Sequence, residues 1–343
     1  MECERCLLTS DIVEIYKDGE CEFCKIHDKL EIESAKVNFD KIVSKIKKQK
    51  GFQVLIGLSG GVDSCYLLHW AIKNEIKPLV VHFDNGYNNK IAESNMINMV
   101  EYSGVTFIRY SVPTVEYNLL NDAFISAGVP EADIPNDMAM TAIIMDIADK
   151  YNIKYILNGH DFRSEGSTPL KWTYMDAKYL QSVYKWKYNE ELEQFPLLTF
   201  KKQLIYAMKG IKQIRPYYYI NVSDHQKKYI LRKLYEWKDY GNKHGENAYT
   251  EWVGYKYLPE NFGIDKRIIY LSAQVRTGIL NKEQAKDKLK DKVIIRKSFN
   301  VFEGAHRTRN DFETYNFKKY KLLLWVLAKL RLVPWLFYKK YTK

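Results

Sequence analysis

Short apolar runs alternate with longer amphipathic stretches over the first two thirds of the chain. Residues 53–58 form an apolar run that is typical of a strand buried on both faces, and helical periodicity follows residue 64. Because such alternation favours strand–helix–strand units, we expect an α/β fold with a Rossmann-like parallel sheet and helices on both faces. Ligands of such sheets bind at the carboxyl ends of the strands, where the strand order reverses.

The same pattern places each element. It predicts strands at residues 53–58, 78–83, 106–110, 154–157 and 212–217, and helices at 39–50, 65–72, 88–103, 113–127 and from a cap at Asn136 or Asp137 to Tyr151. After residue 225 the chain changes to amphipathic helices rich in Tyr, Trp and Lys. We therefore divide it into residues 1–34, 35–225 and a helical C-terminal domain, 226–343.

A small-residue turn joins the first predicted strand to its helix. Its sequence is Ser-Gly-Gly-Val-Asp-Ser, residues 59–64. Small residues let the backbone close around phosphate oxygens, and a helix N-terminus offers unpaired amides and a positive dipole end. Ser59 and Ser64 add hydroxyl donors, whereas Asp63 is suited to hold a magnesium ion that bridges phosphates. The alternative interpretation is a glycine-rich turn without a ligand.

This turn resembles the signature of the PP-loop ATP pyrophosphatases (PP-loop/HUP type), which attack the α-phosphorus of ATP and release pyrophosphate. The lysine of a Walker A loop is absent, which disfavours transfer of the γ-phosphoryl group. Asp84 follows the second strand, and Asn-Gly-His-Asp follows the fourth, resembling an element that closes over phosphates and metal. The alternative interpretation of Asp84 is that it caps the start of a helix. The resemblance implies that ATP is bound by Leu58, Ser59, Gly60, Gly61, Val62, Asp63, Ser64, Asp84, Gly159 and His160, with Asp63, Asp161 and Glu165 as candidate magnesium ligands.

Four of the five cysteines lie within the first 24 residues. They form two Cys-x2-Cys pairs, made by Cys3, Cys6, Cys21 and Cys24. Two such pairs can present four thiolates to one tetrahedral ion, and residues 12–19 between them predict a short strand and an Asp-Gly turn. We therefore expect an N-terminal zinc ribbon with a structural zinc ion. A redox pair or incidental cysteines are the alternatives.

The order of the motifs narrows the resemblance. The cysteine ribbon, Gly-Leu-Ser-Gly-Gly-Val-Asp-Ser and Asn-Gly-His-Asp are followed by Tyr-Gly-Asn-Lys-His-Gly-Glu-Asn at 240–247 and Phe-Gly-Ile-Asp-Lys-Arg at 262–267. Over residues 1–295 the chain resembles the N-acetyl sugar amidotransferase family, which is associated with lipopolysaccharide O-antigen and related surface sugars.

That resemblance implies an ATP-dependent, AMP-forming enzyme. It would convert an acetamido group of a nucleotide-activated sugar to an acetamidino group through an adenylylated intermediate. Lys266 and Arg267 would neutralise charge on the leaving pyrophosphate, with two solvated surface charges as the alternative. His244 is a weaker candidate near the sugar, and the role of His160 stays open. Ammonia would come from a separate glutaminase with a cyclase-like subunit, since the sequence lacks a glutaminase nucleophile.

The charge distribution affects which partners are expected. The formal net charge is +11, and eight basic residues without an acidic one lie within 314–343, so residues 1–313 carry only +3. This near balance disfavours nucleic-acid binding. The tail mixes lysines with Leu and Trp, which suits either an anionic membrane interface or docking on the enzyme or a partner.

Other expectations concern location and rival functions. No secretory signal and no apolar run of 18 or more residues is evident, so we expect a cytoplasmic protein, with peripheral contact at the inner membrane face as a further option. The sequence leaves open whether the chain forms a homo-oligomer. The rivals are a PP-loop enzyme that thiolates tRNA, disfavoured because no cysteine follows Cys65, and a non-catalytic zinc-ribbon scaffold.

Overall fold

The computed structural model describes residues 1–299 and 304–342, with the backbone alone at positions 335, 336, 340 and 342. Lys343, which belongs to the predicted basic tail, lies outside these ranges. None of the helices in the described ranges combines the length and the hydropathy that crossing a bilayer requires.

A five-stranded parallel sheet forms the centre of the molecule. Its strands are β1 (Val54–Gly57), β2 (Pro78–Asp84), β3 (Thr106–Ser111), β4 (Tyr155–Leu157) and β5 (Lys212–Ile214). They lie in the order β3-β2-β1-β4-β5, so the chain reverses its direction across the sheet between β1 and β4. The predicted Rossmann-like α/β class is confirmed, and the crevice between the ends of β1 and β4 is where such sheets bind ligands.

Helices cover both faces of the sheet and build the C-terminal region. They are α1 (Glu22–Ala35), α2 (Phe39–Lys47), α3 (Val62–Lys73), α4 (Lys90–Ser103), α5 (Thr114–Ala127), α6 (Ile134–Lys150), α7 (Ala177–Tyr188), α8 (Phe200–Met208), α9 (Asp224–Tyr235), α10 (Ala248–Trp252), α11 (Leu258–Phe262), α12 (Arg267–Arg276), α13 (Lys282–Lys290), α14 (Lys321–Lys329) and α15 (Trp335–Thr342). A π-helical segment, Val253–Tyr257, connects α10 to α11. The predicted change of character at residue 225 falls inside α9, so it does not coincide with a break in the helix.

Side-chain alternation along the strands separates two buried layers. Leu55 and Leu79 point to the face covered by α5, α6 and α7, while Val54, Ile56 and Val80 point to the face covered by α3, α4 and α9. Each fully buried side chain of this size contributes roughly 1.5–3 kcal/mol, so both faces hold the sheet in place. This explains why the inner strands β1 and β4 appear in the sequence as continuous apolar runs.

Two local expectations need correction. Helix α6 begins at Ile134 after Asp133, so Asn136 and Asp137 lie in its first turn and do not cap it. Between the cysteine pairs, the Asp-Gly turn is present with Gly19 in the left-handed region, but the predicted strand is reduced to one bridge, Ile15 to Cys21. At both places the sequence pattern is too short to fix the element. The packing of the folded chain therefore determines where α6 begins and how little strand forms between the cysteine pairs.

The N-terminal ribbon packs into the body of the molecule. The four ribbon cysteines share one buried cluster with Trp252, Tyr257 and Leu258 of the C-terminal region and Ala132 of the sheet domain. Leu7 packs on Leu271 of α12. All three predicted segments of the chain therefore contribute to one core around the ribbon.

Candidate active site

The turn after β1 has a backbone conformation that requires glycine. Gly60 has φ +80°, and a Cβ atom built there would lie 1.9 Å from the carbonyl oxygen of Ala92 in α4. The carbonyl oxygen of Gly60 accepts hydrogen bonds from Trp237 Nε1 (3.0 Å) and from the Asn95 side-chain amide (3.3 Å). Gly60 therefore connects α3, α4 and the segment after α9.

Two hydroxyls brace the turn from inside. Ser59 Oγ and Ser64 Oγ lie 3.1 Å apart, Ser64 Oγ donates to the Gly61 carbonyl (3.2 Å), and the Gly61 amide donates to Ser59 Oγ (3.3 Å). The first amides of α3 have no intrahelical acceptor and carry the positive end of the helix dipole. Such a turn is suited to bind an anion.

A large polar cavity of about 630 Å³ opens in front of this turn. Its walls come from residues 59–64, from 158–160 after β4, from 239–246, and from α12 with residues 288–293. The predicted ATP-binding residues Ser59, Gly61, Val62, Asp63, Ser64, Gly159 and His160 line it. The structure therefore brings most of the predicted set together at the crevice between β1 and β4.

Asp63 has a buried partner that the sequence did not indicate. Lys227 Nζ of α9 lies 2.6 Å from Asp63 Oδ1 and 4.2 Å from the centre of the Tyr217 ring, and its side chain is fully buried. Burial lowers the pKa of Lys227, but Asp63 and Asp224 outweigh it, so the pKa is raised and the lysine stays charged. The carboxylate that the sequence singles out is thus held in place by a cation 164 residues further along the chain.

Glu165 is the second carboxylate in this cavity, and it also pairs with a lysine. Lys243 Nζ lies 3.1 Å from Glu165 Oε1. Burial acts to raise the pKa of Glu165, but Lys243, His244 and His160 outweigh it and bring the pKa to about 2. Burial raises the pKa of Asp63, by contrast, against the charges of Lys227 and Lys243. Asp63 and Glu165 are two carboxylate oxygen donors on the same cavity, which is the ligand type that Mg²⁺ prefers.

Asp161, the third predicted magnesium ligand, lies apart from these two. Its Oδ1 accepts the Arg163 amide (3.0 Å) and its Oδ2 accepts Ser164 Oγ (3.1 Å). It lines a different cavity, next to α1, and does not line the one containing Asp63. Asp161 shapes the turn after β4, so the structure gives it no place in the predicted magnesium set.

The two histidines have different positions. His160 is fixed by hydrogen-bond contacts between its Nε2 and the Gly166 carbonyl (2.8 Å) and between its Nδ1 and Tyr218 Oη (3.3 Å). Burial lowers its pKa, so it is neutral at pH 7 and acts as a positioning group. His244 has φ +61° and lines both the large cavity and a smaller one beside it.

Asp84 does not line either of these two cavities. Its carboxylate accepts Arg109 Nε (2.7 Å), the Gly86 amide (3.0 Å) and the Asn88 side-chain amide (3.0 Å). Burial raises its pKa, but the Gly86 amide and Arg109 outweigh that and hold the pKa below its usual range. The structure thus shows Asp84 closing the turn after β2, and the predicted contact with ATP has no support in this geometry.

Lys266 and Arg267, the predicted cations for the pyrophosphate, diverge. Arg267 lines the large cavity, but its guanidinium donates to Asp265 and to the carbonyls of Leu289 and Asp291 (each 2.7 Å). These bonds use its donors to anchor α12 to the segment after α13. Lys266 lies close enough to Asp133 and Asp137 for its charge to oppose the rise that burial causes in their pKa values. Neither residue is placed beside the 59–64 turn.

The smaller cavity, of about 320 Å³, lies on the other side of the turn. Its apolar walls come from strand ends and α6, with Val81, Phe83, Met140 and Ile144 among them. Leu58 and Ser59, at the start of the turn, and Gly159, just after β4, also line this cavity. A cavity that combines apolar walls with polar side chains is typical of small-molecule and cofactor sites.

Two acidic residues that sequence reasoning missed line this smaller cavity. Asp133 accepts a hydrogen bond from Thr250 Oγ1 (3.1 Å), and burial, helped by the nearby Asp137, raises the pKa of Asp133 to about 7. Burial also raises the pKa of Asp137, against the charges of Lys266 and His244. Their helix was predicted, but its orientation towards β1 and β4 depends on the tertiary fold.

The four ribbon cysteines form a compact metal-ligand set. All four are buried, and their sulfur atoms lie within 4.8 Å of one another, with Cys3–Cys24 at 3.7 Å and Cys6–Cys21 and Cys21–Cys24 at 3.6 Å. A zinc–sulfur bond of about 2.3 Å gives tetrahedral sulfur–sulfur separations of about 3.8 Å. The donor set therefore fits one tetrahedral ion such as Zn²⁺, with no open position for a substrate.

The sheet order and the turn at its reversal point define the class of this domain. The parallel sheet of order 3-2-1-4-5 makes this a Rossmann-like α/β domain, and its Ser-Gly-Gly-Val-Asp-Ser turn between β1 and α3 resembles the PP-loop signature. Residues 246–326 match the family model "LPS biosynthesis protein WbpG-like, C-terminal domain", where LPS is lipopolysaccharide. No curated protein matches the chain.

Two solved structures illustrate what the chain is similar to. One is the NH3-dependent NAD synthetase from Campylobacter jejuni, with 12% identity, coverage of 80% of this chain and 100% of that chain, and a TM-score of 0.33. The other is the U34-tRNA thiolase NcsA from Methanococcus maripaludis with its [4Fe-4S] cluster, with 16% identity, coverage of 82% and 90%, and a TM-score of 0.31.

The first prediction concerns Gly60. Gly60→Ala should lower the free energy of unfolding by at least about 2 kcal/mol, because it combines a left-handed backbone with a clash against Ala92. Gly104→Ala is the matched control, since Gly104 has φ +61° but open space around its Cβ position. Urea unfolding of both variants checks this, and equal losses would contradict the role of the close contact.

The second prediction concerns the ribbon. Metal analysis of the purified protein should find about one zinc ion per chain, and Cys24→Ser should lose it and unfold at a lower temperature. Cys65→Ser, also buried but outside the cluster, should keep the zinc. Iron with the absorption of an iron–sulfur cluster, or no metal at all, would contradict a zinc ribbon.

The third prediction concerns pH. The pKa of Asp133 is about 7 in the folded chain against an ordinary 3.8, so its contribution to stability is complete below about pH 4 and is lost as pH rises through 7. Asp133→Asn lacks this titration. Relative to the variant, the wild type should therefore lose stability on the order of a few kcal/mol between these pH values. Parallel denaturation curves at each pH check this, and a constant difference would contradict it.

Proposed function

We propose that this chain is an ATP-dependent, AMP-forming amidotransferase that converts the acetamido group of a nucleotide-activated sugar to an acetamidino group. The observation that carries the proposal is the PP-loop turn standing between two cavities at the reversal point of the sheet. The match of residues 246–326 to a lipopolysaccharide biosynthesis domain supports a sugar as the second substrate.

ATP is assigned to both sides of the turn. We place its adenosine in the smaller cavity, where Val81, Phe83 and Ile144 offer apolar walls. Its β- and γ-phosphates then meet the first amides of α3 and the hydroxyls of Ser59 and Ser64. The α-phosphorus would lie near the boundary between the cavities, which share Ser59 and Gly159.

Magnesium fits the carboxylates of the larger cavity. Asp63 and Glu165 would hold the ion, which supplies positive charge to the phosphates of ATP when bound. Lys227 and Lys243 hold the two carboxylates in place. These lysines would also add positive charge close to the departing pyrophosphate, the role that the family resemblance implies for Lys266 and Arg267.

The larger cavity suits a nucleotide-linked sugar. Its volume of about 630 Å³ exceeds what a triphosphate alone needs, and it is lined by Lys288, by Lys292 and by Lys228, which pairs with Asp239. These ammonium groups favour a substrate with its own phosphates. His244 and Glu246, which line both cavities, are the groups closest to where the acetamido group would meet ATP.

The reaction has two steps. The amide oxygen attacks the α-phosphorus, an oxygen–phosphorus bond forms, and the bond to pyrophosphate breaks with its electrons on the leaving group. Ammonia then adds to the former amide carbon, and AMP leaves with the oxygen, so an amidinium product forms. Adenylylation is needed because an amide oxygen is otherwise a poor leaving group, and the intermediate must be shielded from water.

The loop at residues 240–247 provides such shielding. Its Gly245 carbonyl accepts Asn89 Nδ2 (3.0 Å), and the Asn89 amide donates to the Glu246 carbonyl (2.8 Å). Tyr240 Oη donates to Glu246 Oε2 (3.1 Å) above the turn. Ammonia would reach this enclosed site from a separate glutaminase with a cyclase-like subunit, in the cytoplasm, where ATP is available.

Two other functions compete with this proposal. Thiolation of tRNA uses the same adenylylation, but beyond the four ribbon cysteines the chain has only Cys65, which is buried in the sheet domain. A non-catalytic scaffold would not need buried carboxylates paired with lysines around a cavity. Both rivals give different outcomes in the assay below.

The fourth prediction tests the reaction itself. Incubation with ATP, Mg²⁺, ammonium and a panel of UDP- and CMP-acetamido sugars should give AMP, pyrophosphate and a sugar in which NH replaces one oxygen. Mass spectrometry detects the product. Formation of ADP, or thiolation of tRNA without any amidine product, would overturn the proposal.

A pair of matched variants assigns the activity to the turn. Asp63→Asn should reduce turnover by about a hundredfold or more, because it removes a charge that acts on the transition state. Asp149→Asn, which removes a surface carboxylate paired with Lys209, should leave turnover unchanged. Equal activity of the two variants would exclude Asp63 from the chemistry.

A further inference from the structure

The C-terminal tail has an inner face that packs against the enzyme. Leu324 and Ala328 of α14 are buried, and Leu324 packs with Phe200 of α8 and Tyr341 of α15. Pro334 lies between α14 and α15. The tail is therefore docked through one side of α14, and the opposite side faces outwards.

That outer side of α14 is apolar. Leu322 is 74% exposed, Leu323 49%, Trp325 42% and Leu330 64%. In a helix with 3.6 residues per turn these positions share one broad face, together with Val326. We call these five residues the outer face. Exposed apolar patches rimmed by polar residues mark sites of protein or membrane interaction.

Positive charge surrounds the outer face. No acidic residue occurs within 314–343, and Lys318, Lys319, Lys321 and Arg331 are exposed. Within the described ranges these four side chains take part in no ion pair. A second copy of the chain docking symmetrically on this face would bring like charges together, which costs energy. An anionic surface is the complementary partner.

We propose that the outer face of α14 binds the surface of an anionic phospholipid bilayer. Leu322, Leu323 and Leu330 enter the acyl boundary, and Trp325 lies at the level of the headgroups, the position that its amphipathic ring favours. The surrounding Lys and Arg side chains contact lipid phosphates. The helix lies on the membrane and does not span it. This inference does not depend on the proposed reaction.

The fifth prediction tests this contact on the full chain. In flotation with vesicles of phosphatidylethanolamine and phosphatidylglycerol, the protein should float at low salt, and much less with phosphatidylcholine alone or at high salt. The double variant Leu322→Ser with Trp325→Ser should have a membrane partition constant lower by about tenfold or more, because two inserted side chains are lost.

A control with the same kind of substitution distinguishes binding by this face from nonspecific hydrophobic binding. Leu170→Ser with Ile97→Ser removes two exposed apolar side chains far along the chain from the tail, and binding should not change. Circular dichroism should show that both double variants fold. Equal binding by the two variants, or no binding by the wild type, would overturn the proposal. Light scattering in which only the tail variant changes from dimer to monomer would instead assign the face to a second copy.

Discussion

The contact between Gly60 and α4 is the constraint on which the site depends. The backbone of the turn can approach the Ala92 carbonyl only because residue 60 has no Cβ atom. This approach aims the first amides of α3 at the crevice between β1 and β4. The Trp237 indole and the Asn95 amide then donate to the Gly60 carbonyl, which brings the segment after α9 to the same point. A strand, two helices and the wall of the larger cavity meet at one residue.

Buried charge is organised around this turn in pairs. Lys227 with Asp63 and Lys243 with Glu165 each join the sheet domain to the later part of the chain. Removing one member of such a pair leaves an uncompensated buried charge, which is strongly destabilising. The pairs therefore link the integrity of the fold to the electrostatics of the cavity. They also orient the carboxylates before any ligand arrives, so binding requires little reorganisation.

The cysteine ribbon supports the site from a distance. Arg163, in the loop after β4, donates two hydrogen bonds to Glu31 of α1 (2.6 Å each) and one to the Tyr217 carbonyl (3.0 Å). Helix α1 begins at Glu22, directly after Cys21, so the metal-ligand cluster anchors the helix that holds this loop. On the opposite wall, buried Glu251 accepts Arg296 Nη1 and Asn242 Nδ2 (2.8 Å each) and fixes the loop at 240–247. Both walls of the cavity are therefore held by elements that do not touch its centre.

The sequence by itself determined what depends on local pattern. Strand and helix periods, the Ser-Gly-Gly-Val-Asp-Ser turn and the cysteine spacing each lie within a short stretch, so their geometry follows from near neighbours. Tertiary structure decided everything that depends on distant partners. Lys227 lies on an ordinary lysine-rich helix and gave no signal that it would be buried against Asp63. Asp133 and Asp137 line a cavity only because α6 packs beside β1 and β4. Asp84, Asp161 and Arg267 carry the right chemical groups at strand or helix ends, but nearer donors and acceptors occupy them, and only the folded chain shows which partner is nearest.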